Sequence, residues 1–381
     1  MLTSYYQKDS PSGEAVKRGK SEPVVAMFCR GIMGHKYPLF ISEQSDFSDF
    51  SKYLPIYKKI FIICDQVIVQ QDDSFIRKIK GRKFIMAVEA NERNKSFSNL
   101  EYLCQQIISK KPARDDLMLL VGGGVILNLG GLCASLIMRG LKFIYVPTTL
   151  TGQIDVCMGS KQAVNFYGAK NMIGLYNDPL YCYVNSRFLS TLSDFEFNSQ
   201  LVEGLKLCLC LDKGLFLSLL GDISYGADRD LIIKRYLRKL IELKLRIVDV
   251  DLKEENIGLS MLYGHSIGHA IEVLSDGLLN HGVCVGLGML AASQMAYLCG
   301  LSGISLVNLH RQLLINLGLP TKIPASIKKD QILAKLKYNK HNYGTSRFIL
   351  LSDIGLIAKQ GKNYYQIIPK EIIDRALTEL Y

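Results

Sequence analysis

A chain of 381 residues, 48% hydrophobic and 21% charged with a mean hydropathy of +0.14, carries enough apolar material for two packed domains and excludes a largely disordered protein. The formal net charge of +11 invites a nucleic-acid partner, but the basic residues are spread along the chain and no aromatic-interleaved basic patch occurs, so neither nucleic acid nor membrane is an expected partner. The one basic concentration, Lys234, Arg235, Arg238, Lys239, Lys244 and Arg246, has the spacing of a solvated helix face, and a phosphorylated substrate accounts for part of the excess charge.

Residues 1–22 are polar and lack the apolar core of a secretory signal, so they read as a flexible tail. From 23 to 185, short β-branched runs alternate with helical segments. Residues 59–65, 83–88, 116–121 and 143–146 read as strands, and their continuous apolar character suits a parallel sheet covered on both faces. From 186 onward the β signal fades, and 195–211, 230–250, 261–274, 283–298 and 307–317 carry helical periodicity, continued by 328–336 and 371–380. The expected architecture is an α/β N-terminal nucleotide-binding domain with a parallel sheet (23–185) plus an all-α C-terminal domain (186–381), with a ligand cleft between them. The apolar run 283–292 is interrupted by Ser293 and Gln294, short of the roughly 20 residues of a membrane span, and reads as a buried helix. The ten cysteines are scattered without a C-x-x-C pair, as expected of small core residues in a reducing cytoplasm.

Three constellations carry chemistry. Gly122, Gly123 and Gly124 follow a strand and precede a helix beginning near Ile126; glycines let a ligand approach the backbone, and a helix start offers free N–H groups to a pyrophosphate. Leu127 stands where a G-x-G-x-x-G fingerprint has its last glycine, and a plain tight turn fits equally. Asp65 closes a strand where a carboxylate meets a ribose hydroxyl in dinucleotide folds, although an exposed loop aspartate looks the same; Thr148 and Thr149 add hydroxyls at that sheet edge. Within 153–171, Asp155, Lys161, Lys170 and Asn171 either gather phosphate and hydroxyl oxygens or form a polar surface loop. His265 and His269, four apart, share a helix face; His281 opens another helix, and Glu203 and Lys206 lie on a strongly apolar one. Two imidazoles and a carboxylate are a common zinc donor set. A surface Glu–Lys pair beside two packed core histidines is the equal alternative.

Taken in order, Gly122–Asn128, Met138-Arg139-Gly140, Val146–Leu150, Lys161–Asn165, Lys170-Asn171, Glu203–Lys206, the run from Gly264 to Glu272, and His281-Gly282 resemble the sugar-phosphate cyclases of the dehydroquinate synthase superfamily over nearly the whole chain. The resemblance implies an all-α C-terminal metal-binding domain with ligands Glu203, His265 and His281 for Zn2+ or Co2+. It implies NAD+ contacts at Asp65, Glu92, Lys95, Gly123, Gly124, Thr148, Thr149, Asp155 and Lys170. Substrate contacts are implied at Lys161, Asn171, Lys206, Lys244, His269 and Lys340, with Arg139 reaching the phosphate across a homodimer interface. The implied activity is phosphate elimination and intramolecular aldol closure of a sugar phosphate to a carbocycle.

Dehydroquinate synthases carry an arginine and an asparagine where this chain has Gly258 and Leu262, and that arginine helps hold a substrate carboxylate. Asn128, Lys161–Asn165, Tyr263-Gly264-His265 and the run from His281 to Met289 are similar instead to the 2-deoxy-scyllo-inosose synthases, which use glucose 6-phosphate, although a glutamate expected there at 262 is Leu262. Valiolone synthases usually lack the second histidine, here His269. The competing readings are a 3-dehydroquinate synthase, a glycerol dehydrogenase-like oxidoreductase, which five lysines speak against, and a catalytically silent sugar-phosphate-binding homologue.

Overall fold

A computed structural model describes residues 24–336 and 347–381 apart from Met33, Ser45, Pro55 and Asp72; the expected tail 1–22 and Lys340 lie outside the described residues. The sheet strands are β1 (Val25–Arg30), β2 (Lys36–Ser42), β3 (Lys59–Asp65), β4 (Arg82–Val88), β5 (Leu117–Gly122) and β6 (Lys142–Pro147), followed by a hairpin of β7 (Lys161–Phe166) and β8 (Ala169–Tyr176), and then β9 (Cys182–Asn185). Seven of them form one sheet in the order β1-β2-β9-β6-β5-β3-β4, parallel throughout except for the antiparallel β1–β2 edge. Every residue of β5 is buried, because helices cover both faces of the sheet centre.

Helices α1 (Phe97–Ile108) and α2 (Gly124–Leu136) cover the sheet, and α2 begins at Gly124, two residues earlier than the sequence implied. The polar stretch 153–171 is not a loop. Gly152–Val156 forms a π-helical turn, and β7 and β8 pair antiparallel around Tyr167 and Gly168, both at positive φ, which is the demand of a two-residue hairpin turn.

The second half is helical: α3 (Asp194–Leu211), α4 (Lys213–Ser224), α5 (Arg229–Asp251), α6 (His265–Leu274), α7 (His281–Leu298), α8 (Ile304–Asn316), α9 (Lys329–Leu336) and α10 (Lys370–Thr378). Helix α4 had no counterpart in the sequence reading, nor did the short strand pairs Arg347–Phe348 with Gln366–Ile367 and Leu351–Asp353 with Leu356–Ile357. The expected single helix 261–274 is broken: a 3-10 turn, Ile257–Leu262, ends at Gly264, whose φ of +77° stops one helix and starts α6 at His265. Among the described residues no helix is long and apolar enough to cross a membrane.

Helix α7 is buried from Gly282 to Ala296, and its glycines set how closely its neighbours approach. A Cβ on Gly282 would lie 1.8 Å from the Ser199 carbonyl oxygen of α3, and one on Gly288 would lie 1.9 Å from that of Gly264. This backbone-to-backbone approach brings the first residues of α6 and α7 against the middle of α3, and so decides where His265, His281 and Glu203 stand.

His310 of α8, 1% exposed, braces the same corner. Its Nδ1–H donates to the Leu306 carbonyl at 2.7 Å, so Nε2 accepts from the Tyr263 hydroxyl at 2.9 Å. Burial pushes this imidazole down to about 4. An unfolded histidine takes its proton near pH 6.5, so between that pH and about 4 the unfolded chain binds more protons than the folded one. His310 therefore contributes stability that is complete above about pH 6.5 and is lost as the pH falls toward 4, on the order of 3 kcal/mol. Urea unfolding from about pH 7 down to about pH 4.5 should show a shallower loss in His310→Gln than in the parent; parallel curves would refute this assignment.

Candidate active site

The Glu203 carboxylate, 2% exposed in the middle of α3, is divided between two tasks. Its Oε2 accepts from Lys206 Nζ at 2.5 Å, and that ammonium also donates to the Met261 carbonyl at 2.6 Å. Its Oε1 is buried without a hydrogen-bond partner. Facing Oε1 are His265 Nε2 at 3.7 Å and His281 Nε2 at 3.5 Å. These separations are too long for good hydrogen bonds, but they suit donors around one ion, since ligand atoms about 2.1 Å from a tetrahedral centre lie about 3.4 Å apart.

Both imidazoles are oriented from behind. His265 Nδ1 donates to the Tyr263 carbonyl at 3.2 Å and His281 Nδ1 to Glu272 Oε2 at 3.1 Å, which turns each Nε2 toward Glu203. Burial tends to protonate Glu203, yet Lys206 and the two imidazoles hold its carboxyl well below the usual carboxylate range. Burial and the Lys206 ammonium push His265 well down, so it stays neutral. Burial also disfavours charge on His281, but Glu272 and Glu203 outweigh it and hold that imidazole up at about 9. A cation entering here displaces the His281 proton, so affinity for it rises with pH up to that value.

From this trio a polar network runs across both halves of the chain. Glu272, whose carboxyl is also held low, accepts from Lys170 at 2.5 Å; Lys170 reaches Glu92 at 3.1 Å, and Glu92 accepts from Asn165 at 2.8 Å. The buried Lys95 donates to Asn171 at 2.5 Å, and Asn171 donates its backbone N–H to Asn165. On the other flank Lys244, also buried, pairs with Asp155 and contacts the Met261 sulfur. Lys161 pairs with Glu254. His269 stands with its ring 5.0 Å from His265 and forms a second possible donor trio with Glu272 and His281.

The structure therefore gathers Glu92, Lys95, Asp155, Lys161, Lys170, Asn171, Glu203, Lys206, Lys244, His265, His269 and His281 into one polar neighbourhood. Gly123, Gly124, Thr148 and Thr149 cluster at the carboxyl edge of β5 and β6, where the Thr148 N–H donates to Gly122 and Thr149 Oγ1 accepts from Gly152. A Cβ on Gly123 would meet the Thr149 methyl at 2.7 Å. Asp65 ends β3, half-buried, and accepts from the Val67 N–H; Arg139 is exposed at φ +66° after Met138, also at positive φ. Neither has an ion pair or hydrogen bond into the network among the described residues.

The surface ion-pair alternative for Glu203 and Lys206 does not hold, since both are buried. Three further members of the network are Glu272, Asn165 and Glu254. Glu272 lies three residues after His269 on the same helix face, a visible signal. Asn165 is reached only through the hairpin. Glu254 sits at φ +60° in a loop tied back by Asp251, whose carboxylate accepts from the N–H groups of Glu255, Asn256 and Gly258; nothing in the local pattern marks it.

Residues 85–199 match the family model for the 3-dehydroquinate synthase N-terminal domain, and residues 201–342 match the C-terminal one. A 3-dehydroquinate synthase of Synechocystis sp. is 33% identical over 80% of this chain and 87% of its own. A 2-deoxy-scyllo-inosose synthase of Streptoalloteichus tenebrarius is 29% identical over 84% of this chain and 86% of its own. Among solved structures, a 2-deoxy-scyllo-inosose synthase complexed with carbaglucose-6-phosphate, NAD+ and Co2+ superposes with a TM-score of 0.83 at 25% identity, covering 93% of this chain and all of that one. By sequence, fold and domain order, the chain belongs to the 3-dehydroquinate synthase family of sugar-phosphate cyclases.

Proposed function

We propose that this protein is a cytoplasmic, homodimeric carbon–oxygen lyase that uses NAD+ and Zn2+ or Co2+ to eliminate phosphate from glucose 6-phosphate and close the remainder to 2-deoxy-scyllo-inosose. The observation that carries the reading is the buried, unpartnered Glu203 Oε1 facing two oriented Nε2 atoms, in a polar network that also holds Lys161, Lys206 and Lys244. One carboxylate oxygen and two imidazoles, both neutral once a cation has displaced the His281 proton, fit a divalent ion of borderline softness with a position left for substrate oxygens. Such an ion supplies Lewis-acid polarisation of vicinal sugar oxygens, and bound NAD+ supplies reversible oxidation of a ring carbinol.

The chain's own groups divide the remaining work. Gly123 and Gly124 present the start of α2 to the dinucleotide pyrophosphate, with Thr148, Thr149, Asp65, Glu92 and Lys95 along its length and Asp155 and Lys170 beside its reactive end. Lys161, Asn171, Lys206, Lys244 and His269, joined by Lys340, hold the phosphate and the hydroxyls. Arg139 contributes from the second copy, which fits its exposed position. In this division 23–185 is the NAD+ half and 186–381 the metal half.

Substrate choice turns on Gly258. Its N–H is held by Asp251, and a Cβ there would lie 2.8 Å from the Asp251 carbonyl oxygen and 2.9 Å from its carboxylate, so the loop has no room for a side chain at this position. No cationic side chain can therefore stand at 258, which disfavours a carboxylated substrate, where burying a second anion needs a further cation. Phosphate release should therefore occur with glucose 6-phosphate and stop with a chelator, and should not occur with the carboxylated precursor of dehydroquinate, nor, given His269, with sedoheptulose 7-phosphate. Turnover of the carboxylated sugar would make the protein a 3-dehydroquinate synthase. Net NADH from a simple polyol would make it a dehydrogenase, and binding without turnover a silent homologue.

The orienting role of Glu272 adds a prediction. Glu272→Gln should weaken Zn2+ binding by about 10–100-fold, since His281 loses the carboxylate that raises its basicity. Competition titration against a fluorescent chelator reads this directly; unchanged affinity would remove Glu272 from the site.

A further inference from the structure

Eight of the ten cysteines are buried: Cys157 and Cys182, for example, are each 0% exposed, and burial pushes the Cys182 thiol well up. Cys104 differs. It lies on α1, only partly buried, and its Sγ is 3.5 Å from Sγ of Cys133 on the packed neighbour α2. The other partly buried thiol is Cys299, at the end of α7. The Cys133 thiol hydrogen-bonds to Cys104 and lowers its thiol below the ordinary value, which favours the attacking thiolate on the side that solvent can reach.

We propose that Cys104 and Cys133 form a modification site, a dithiol that closes to a disulfide on exposure to a small aliphatic disulfide such as oxidised glutathione. The Cys104 thiolate attacks one sulfur of the oxidant; the oxidant's S–S bond breaks, and one glutathione leaves as thiolate and takes up the proton. Cys133 then gives up its proton and attacks Cys104 Sγ, forming the Cys104–Cys133 bond and releasing the second glutathione. Two protein thiols are oxidised and one oxidant disulfide is reduced to two thiols. The sulfurs need to approach by about 1.5 Å to reach bonding distance, a movement that side-chain rotation on two adjacent helices can supply.

The bond would tie together two helices that open beside predicted cofactor groups. The first turn of α1 follows Glu92 and Lys95 and is capped by Ser96, which also bridges to Asn165; α2 starts at Gly124. The cross-link encloses the β5 strand and the glycine turn in a covalent loop, restricting the unfolded chain.

The experiment treats the full-length native protein with oxidised glutathione, blocks free thiols with iodoacetamide, and maps peptides by mass spectrometry. The expected result is one cross-linked Cys104–Cys133 peptide, reversed by dithiothreitol, with the thermal midpoint raised by about 5 °C. In Cys133→Ser the same treatment should leave a single glutathionyl group on Cys104, and Cys104→Ser should take up none at either position. A stable glutathionyl adduct on Cys104 of the parent protein, an unmodified pair, or a cross-link at Cys157–Cys182 would each overturn the proposal.

Discussion

Glu203→Gln is expected to lower phosphate release by about a thousandfold or more while leaving NAD+ binding within a few-fold of the parent. The substitution keeps the shape of the side chain, but an amide is a poor ligand beside imidazoles; with its carbonyl oxygen accepting from Lys206, which can only donate, its NH2 group faces the two Nε2 atoms and cannot ligate. Two of the three converging donors remain, so residual Zn2+ binding should be weak, with His281 still supported from behind by Glu272. Isothermal titration with Zn2+ and with NAD+ separates the two effects. Turnover that survives at more than about a tenth of the parent rate would sink the metal assignment, because among the described residues no other carboxylate faces both Nε2 atoms. Glu272 is committed through its oxygens to His281 Nδ1 and Lys170 and points at the reverse side of the ring.

That outcome depends on an arrangement only partly legible in the sequence. The central strands β3, β5 and β6 announced themselves because both faces of the sheet are covered, which leaves uninterrupted apolar runs. The edge strand β4 was legible as well, but β1, β2 and β9 were not: β1 alternates buried and exposed residues only over its last four positions, β2 contains Pro38, and β9 has four residues. Helix α4 buries only Phe216 and Leu219 and carries Gly214 and Gly221, too little apolar stripe to stand out. In the site, the i,i+4 spacing of His265 and His269 and the acid in an apolar helix at Glu203 are local patterns. Assembly is not local, because the approach of α3, α6 and α7 rests on missing Cβ atoms at Gly282 and Gly288, which a periodicity reading sees as ordinary helix positions. The same applies to Glu254, whose placement is imposed by a carboxylate three residues earlier folding back on its own loop.

Lys206→Met should destabilise the metal-free protein by about 3–5 kcal/mol, a fall in thermal midpoint of roughly 5–10 °C, and most of that loss should disappear in saturating Zn2+. Methionine preserves the length of the buried stem, so the change isolates the ammonium. Without it, Glu203 stays ionised in the protein interior with only the two imidazoles for compensation, and Met261 loses the donor to its carbonyl. A divalent ion at the Glu203–His265–His281 trio restores positive charge next to the same carboxylate. Lysine and metal are thus alternative sources of compensation that also repel each other across one side chain. By linkage, a stability deficit that shrinks when metal is present is the same statement as tighter metal binding by the variant. Lys206→Met is therefore expected to bind Zn2+ more tightly than the parent yet to release phosphate more slowly, since the cation proposed to hold the substrate is gone. Equal deficits in chelator and in Zn2+ would mean that the lysine merely packs, and that the cation site lies elsewhere.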